Sequence, residues 1–101
     1  MALYKKLVRD KIPEILDSKG VVYEKHIATS EEYKHELIKK LLEEALEFTE
    51  AGAPEELADV LEVVAALRLL PEYANIEELQ KVKFDEKGGF ANRIILKGEK
   101  E

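Results

Sequence analysis

The chain of 101 residues contains no cysteine and no tryptophan, and it has only one methionine. Without cysteine it can form neither a disulfide bond nor a thiolate metal site, so zinc-finger chemistry is excluded. Its longest unbroken apolar run, residues 63–67, is far shorter than the ~20 residues that span a bilayer. The first six residues hold no apolar core of a signal peptide. We therefore expect a soluble cytoplasmic protein that does not cross a membrane.

Basic residues are also in short supply: 16 lysines and arginines stand against 22 acidic residues, giving a net charge of -6. This balance argues against a broad nucleic-acid-binding surface, so we expect a small-molecule ligand and no nucleic acid. An apolar content of 46% over 101 residues is enough for one modest core. We therefore predict a single domain over residues 1–101.

Capping signals and helical spacing of apolar residues predict a mainly α fold. Asp10 can cap the first helix, Thr29 and Glu32 form a capping box before the second, and Asn75 can cap the fourth. The third helix should stop at Pro71, because proline cannot continue it. The four predicted helices cover about residues 10–19, 30–51, 54–70 and a stretch beginning after 75, with the second and third forming a central antiparallel hairpin.

Two further segments are rich in β-branched and aromatic residues, which favours strands. They are residues 21–27 and residues 90–96, the latter following two glycines. No other segment resembles a strand. The sequence therefore predicts a small two-stranded antiparallel ribbon made of these two segments.

Two acidic pairs flank the predicted turn between the second and third helices. Glu44 and Glu47 precede it, and Glu56 and Asp59 follow it. Residues three apart lie on one side of a helix. Counting outward from the turn places Glu47 opposite Glu56, and Glu44 opposite Asp59, so the hairpin is predicted to gather four carboxylates in one volume.

The helical projection places Glu44 inside the apolar stripe of its helix, where an unpaired carboxylate is costly. Two simpler explanations remain open for these acids. Glu56 could complement the dipole of a first helical turn, and Lys40 could pair with Glu44 and Glu47 along the helix. The joint arrangement of all four acids instead favours a cation.

Carboxylate oxygens suit a hard ion, so Mg²⁺ is the predicted metal and Mn²⁺ an alternative. Magnesium in such sites bridges substrate phosphates and activates water, which points to hydrolysis of a pyrophosphate or phosphoryl bond. Basic side chains near both ends of the chain could hold the phosphates, although charged residues are common on surfaces. The candidates are Lys6, Arg9, Lys11, Lys83, Lys87 and Arg93.

The third predicted helix is apolar almost all the way round. One small monomer can hardly cover every face of such a helix. We therefore expect a homo-oligomer, either a homodimer or a homotetramer.

The acidic pairs, together with residues 4–13 (YKKLVRDKIP) and residues 87–90 (KGGF), resemble a known family. They are similar to the all-alpha nucleoside triphosphate pyrophosphohydrolases, the MazG-like superfamily, and to its small house-cleaning branch labelled phosphoribosyl-ATP pyrophosphohydrolase-like. The resemblance covers nearly the whole chain. The segment between the acidic pairs is shorter here than in typical MazG domains, which gives a tighter hairpin.

The resemblance implies a magnesium-dependent enzyme that cleaves a nucleotide between its α and β phosphates, releasing a monophosphate and pyrophosphate. It implies that Glu44, Glu47, Glu56 and Asp59 bind the metal, with Glu47 orienting the attacking water. Three functions stay open at this point. They are house-cleaning of noncanonical nucleotides, hydrolysis of phosphoribosyl-ATP in histidine biosynthesis, and a noncatalytic helical module that binds a cation or only oligomerises.

Overall fold

The computed structural model describes residues 5–99 and shows a mainly helical chain. The elements follow in the order α1 (Ile12–Ser18), α2 (Ser30–Ala51), α3 (Pro54–Arg68), a short 3₁₀ helix (Pro71–Tyr73) and α4 (Ile76–Lys87). The prediction of four helices with a central hairpin is confirmed. No helix within residues 5–99 is long and apolar enough to cross a membrane. Tyr4, where the family-like segment begins, lies outside the described residues.

Helix α2 has the predicted bounds because its two ends carry strong signals. The Thr29 hydroxyl accepts a hydrogen bond from the backbone N–H of Glu32 at 3.2 Å, which satisfies one of the free donors of the first turn. At the other end Gly52 adopts a left-handed conformation, with φ of 64°, and its N–H donates to the carbonyl of Phe48. This glycine closes α2 and turns the chain toward α3.

The other helix ends differ from the predictions by one or two residues. Helix α1 begins at Ile12 after Lys11, so Asp10 is not its cap. Helix α3 ends at Arg68 and not at residue 70, because Leu70 is extended, as the residue before a proline prefers. Asn75 does precede α4, but its side chain makes no capping hydrogen bond.

The predicted ribbon is wrong: residues 5–99 contain no β-strand. Segments 21–27 and 90–96 are irregular, and their first backbone bonds are local. The N–H of Val21 donates to the carbonyl of Leu16, and that of Arg93 to the carbonyl of Phe90. Val22 and Phe90 are 97% and 99% exposed. A two-stranded ribbon is marginal without a face to bury, and here neither segment has one.

The packing of the described chain centres on the antiparallel hairpin of α2 and α3. Its innermost side chains are Leu37 on α2 and Val63 on α3, which are 3% and 7% exposed. The third buried residue is Glu44. The core of the hairpin therefore includes a carboxylate at the level of the predicted site.

Candidate functional site

The hairpin carries the two predicted acidic pairs on adjacent helices, Glu44 and Glu47 on α2 and Glu56 and Asp59 on α3. Glu44 is buried, as the helical projection predicts, and its side chain is only 9% exposed. Glu56 and Asp59 are half-buried, whereas Glu47 is exposed. The four acids therefore differ in exposure, from Glu44 in the interior of the hairpin to Glu47 at the surface.

Glu44 is only partly satisfied where it lies. Its Oε1 is 3.2 Å from the Nζ of Lys40, one turn earlier on the same helix. Its Oε2 is buried and has no hydrogen-bond partner, and the same holds for Oε2 of Glu56. An unsatisfied buried polar atom costs about 1–3 kcal/mol. The alternative that Lys40 neutralises this acid is therefore realised for one oxygen, while one oxygen of Glu44 and one of Glu56 have no hydrogen-bond partner.

Basic side chains from the N-terminal segment reach the hairpin. The guanidinium of Arg9 lies 2.6 Å from Oδ1 of Asp59 and 3.9 Å from Oε1 of Glu62. The Nζ of Lys6 lies 3.2 Å from Oε1 of Glu43. The structure thus brings two of the six predicted phosphate-binding residues to the acidic side chains.

The other four basic candidates lie elsewhere. Within residues 5–99 none of them forms an ion pair with the four acids, and all are exposed. One belongs to the segment before α1, two lie on α4, and the fourth lies in the segment after α4. They are Lys11, Lys83, Lys87 and Arg93.

The electrostatics of α2 separate two neighbouring glutamates. The negative charge of Glu44 raises the pKa of Glu47 above its ordinary value. Partial burial acts to raise the pKa of Glu43, but the hydrogen bond from Lys6 and the charge of Lys40 outweigh it and leave that pKa lowered. Glu43 is therefore a satisfied anion, whereas Glu47 carries a carboxylate that favours a proton or another positive charge.

The four carboxylates do not converge on one point. Among residues 5–99, no three acidic or histidine side chains lie close enough together to hold a metal ion. The predicted single volume of four carboxylates is thus not formed by these side chains. Mutual repulsion keeps like charges apart, and Arg9 draws Asp59 to itself.

The donor set nevertheless suits a hard divalent cation, since all four side chains offer carboxylate oxygens. The unpartnered Oε2 atoms of Glu44 and Glu56 are the observation that supports this fit, because a buried anionic oxygen needs compensation. A change of side-chain rotamers and release of Asp59 from Arg9 would be needed for all four to share one ion.

Sequence reasoning missed the direct contact of Arg9 with the acidic side chains, because it assigned this arginine to phosphate alone. It also missed Glu62, the second partner of Arg9. A signal was present, since Glu56, Asp59 and Glu62 recur every three residues and continue one acidic edge along α3. The pairing could not be foreseen because it depends on where the irregular segment before α1 lies.

A cleft of about 320 Å³ lies away from the acids, between the end of α3 and the start of α4. Arg68, Leu69, Tyr73 and Glu77 are among its lining residues. Arg68 is already paired with Glu77 there. The cleft has none of the four acids in its lining, so it gives no support to the carboxylate chemistry.

The candidate site therefore consists of a buried glutamate with one unpartnered oxygen and a second such oxygen on the adjacent helix, with Lys6 and Arg9 paired to other acids of the same two helices. No family model, no curated protein and no solved structure matches this chain.

Proposed function

We propose that this protein is a magnesium-dependent nucleotide pyrophosphohydrolase of the MazG-like type, cleaving nucleoside triphosphates between the α and β phosphates. Noncanonical nucleotides are the proposed substrates, and the cytoplasm the proposed location. The observation that carries the proposal is the pair of buried, unpartnered carboxylate oxygens on Glu44 and Glu56. The resemblance of the two acidic pairs and of residues 4–13 to that superfamily supports the choice of reaction.

Glu44, Glu47, Glu56 and Asp59 are the residues that would hold the cation. Mg²⁺ would supply positive charge to the phosphate oxygens and to the departing group. Lys40 contacts one oxygen of Glu44 at 3.2 Å, which restricts the orientation of this carboxylate. Pre-oriented ligands of this kind lose little freedom when they bind.

Glu47 is the proposed acceptor of a proton from the attacking water. It is exposed, so water reaches it, and its carboxylate can accept a proton. The water oxygen forms a bond to phosphorus as the bridging P–O bond breaks. One product then keeps the nucleoside monophosphate and the other is pyrophosphate.

Arg9 and Lys6 are the proposed phosphate-binding residues. In the described chain their partners are carboxylates, Asp59 for Arg9 and Glu43 for Lys6. These pairs are partly exposed and therefore weak, at about 0–1 kcal/mol. A guanidinium can exchange a carboxylate for a phosphate at small cost, because both accept two parallel hydrogen bonds.

The test is an assay of the purified chain with Mg²⁺ against canonical and modified nucleoside triphosphates and phosphoribosyl-ATP, measuring pyrophosphate and orthophosphate separately. We expect pyrophosphate release that requires Mg²⁺ and falls at least a hundredfold in Glu44→Gln. Glu50→Gln, which removes an exposed acid from the same helix, should keep full activity.

Each other outcome has a distinct meaning. A strong preference for phosphoribosyl-ATP would identify the histidine-pathway reaction. Orthophosphate release would contradict cleavage between the α and β phosphates. An absence of turnover on every substrate would refute the enzyme and leave the noncatalytic helical module.

A further inference from the structure

Both helices of the hairpin carry a second apolar stripe that faces solvent. On α2, Ile38, Leu42 and Leu46 recur every four residues, and on α3, Leu57 and Leu61 have the same spacing. These five side chains are between 45% and 63% exposed. Residues four apart share one side of a helix, so each helix presents a continuous apolar strip. We call these five residues the leucine stripes.

The chain after residue 75 is also apolar and uncovered. We call α4 and residues 88–99 the arm. Helix α4 packs extensively against none of the other helices, and Leu79, Val82 and Phe84 are more than half exposed. Beyond α4 the exposure increases: Phe90, Ile94, Ile95 and Leu96 are between 72% and 99% exposed.

The solvent-accessible surface of the chain is larger than that expected for a compact folded monomer. The accessible area is 9677 Å², whereas a folded monomer of 11.5 kDa should expose about 5,800 Å². The radius of gyration is 18.0 Å, against about 13 Å for a compact chain of this length. Covering half of the excess on each of two copies would bury roughly 4,000 Å², which is typical of an obligate homodimer.

The distribution of charge indicates which surfaces of two copies would attract each other. Residues 87–97 carry three basic side chains and no acidic one. Residues 30–68, the hairpin, carry eleven acidic and four basic side chains. Two hairpins would therefore repel each other, whereas residues 87–97 of the arm and a hairpin are opposite in charge and both carry exposed apolar side chains.

We propose that the arm of one copy packs on the leucine stripes of a second copy, and that the second copy returns the same contact. In its own chain residues 90–96 of the arm stay exposed, so the hairpin of a second copy is the matching surface. A two-fold dimer buries the arm and the stripes twice in one closed assembly. Phe90, Ile94, Ile95 and Leu96 supply the apolar contact, and Lys87 and Arg93 face the acidic hairpin.

The oligomeric state of the full chain gives the first test. Sedimentation at micromolar concentrations should show a dimer for the unchanged protein. Ile95→Glu and Leu42→Glu should each raise the dimer dissociation constant at least tenfold, because each buries a charge in the interface. Val22→Glu changes an apolar residue outside both surfaces that is about as exposed as Ile95, and it should leave the constant unchanged. A monomer at every concentration would overturn the proposal.

The absence of cysteine allows a second test that does not depend on weakening the fold. Leu42→Cys and Ile95→Cys chains are prepared separately, mixed, unfolded and refolded together, and treated with a flexible bismaleimide. We expect cross-linked dimers only in the mixture. Cross-linking of Leu42→Cys with itself would indicate contact between hairpins. A third chain carries both Leu42→Cys and Ile95→Cys, and a cross-link within that one chain would show that the arm folds back on its own hairpin. Either result would overturn the proposal.

Discussion

Glu44 is stabilised by a nearby lysine and destabilised by burial, and its charge changes the pKa of the neighbouring Glu47. Lys40 compensates one of its oxygens, while the other is buried without a partner. The uncompensated part of its charge acts on Glu47, three residues along the same face of α2. A single buried acid therefore prepares a second, exposed acid to accept positive charge.

The raised pKa of Glu47 makes stability depend on pH in a defined direction. The folded state binds this proton more readily than the unfolded state, so the contribution of Glu47 to stability is present at low pH and is lost as pH rises through the raised pKa. The window lies above the ordinary value of 4.5. In metal-free buffer at neutral pH we expect Glu47→Gln to melt at a higher temperature than the unchanged protein, with the difference shrinking as pH falls and vanishing below the ordinary value of 4.5.

Thermal unfolding of both proteins in the presence of a chelator measures this effect. Glu24→Gln removes the same charge from an exposed residue outside the helices and should show no such convergence. A lower melting temperature for Glu47→Gln at neutral pH would contradict the repulsion between Glu44 and Glu47.

Arg9 competes with a cation for Asp59 at the scale of a single side chain. Its guanidinium lies 2.6 Å from Oδ1 of Asp59. We expect Arg9→Met to bind Mg²⁺ about three- to tenfold more tightly, since the competitor is removed, and to raise KM for the nucleotide. Calorimetric titration and steady-state kinetics measure the two effects separately.

Arg68→Met is the matched control for Arg9→Met. It removes an arginine whose partner is Glu77, at the far end of α3. It should leave Mg²⁺ binding unchanged. Weaker Mg²⁺ binding in Arg9→Met would mean that Arg9 positions Asp59 for the metal and does not compete with it.

At the scale of elements, the turn between α2 and α3 sets the register of the hairpin, and so determines which acids of α2 lie opposite which acids of α3. Gly52 holds a φ of 64°, which costs a residue with a side chain roughly 1–2 kcal/mol. An added Cβ would meet no atom within 4 Å, so strain of the backbone and not a clash is the expected effect. We expect Gly52→Ala to lose about 1 kcal/mol in the free energy of unfolding and to lose activity by a shift in the register of the hairpin.

Chemical denaturation and the pyrophosphate assay measure the two losses. Gly98→Ala, at a glycine with no such φ and no neighbouring atom, should change neither. Full activity in Gly52→Ala despite a loss of stability would show that the register of the acids does not depend on this turn.

The elements that could be predicted are those whose signals are local. Helix α2 was predictable from the capping residue Thr29 just before its start and from apolar residues at helical spacing over its length, and both signals are local in sequence. The burial of Glu44 followed from the same spacing. The ribbon failed because β-branched composition indicates a strand only where a partner and a buried face exist, and segments 21–27 and 90–96 have neither. The contact between Arg9 and Asp59 joins residues fifty positions apart and has no local signal.

At the scale of the whole molecule, arm exchange would give the remaining basic candidates a site. Lys87 and Arg93 belong to the arm and form no ion pair with the four acids of their own chain, as far as residues 5–99 show. If the arm reaches the hairpin of the second copy, each active site takes its acids from one chain and Arg93 from the other. We expect Arg93→Asn and Glu44→Gln to be inactive separately, and their refolded mixture to regain about one quarter of full activity.

Asparagine is the chosen replacement because Arg93 has a positive φ, which asparagine tolerates. The expected quarter follows from random pairing: half of the dimers are mixed, and each mixed dimer has one intact site. Mixing Glu44→Gln with Glu47→Gln serves as the control, since both changes affect the same helix and no intact site can form. A mixture of Arg93→Asn and Glu44→Gln without recovered activity would restrict Arg93 to a structural role.

The base of the arm is tied to the hairpin on both sides. Lys34 of α2 pairs with Glu72 and lies 5.4 Å from the centre of the Tyr73 ring, while Arg68 of α3 pairs with Glu77 at the start of α4. From there α4 extends for 12 residues, or about 18 Å. These contacts anchor the chain at Glu72 and Glu77, next to the start of α4. If the arm packs on a second copy, this anchoring reduces the conformational entropy lost on association, and the length of α4 would then contribute to the distance between the two hairpins.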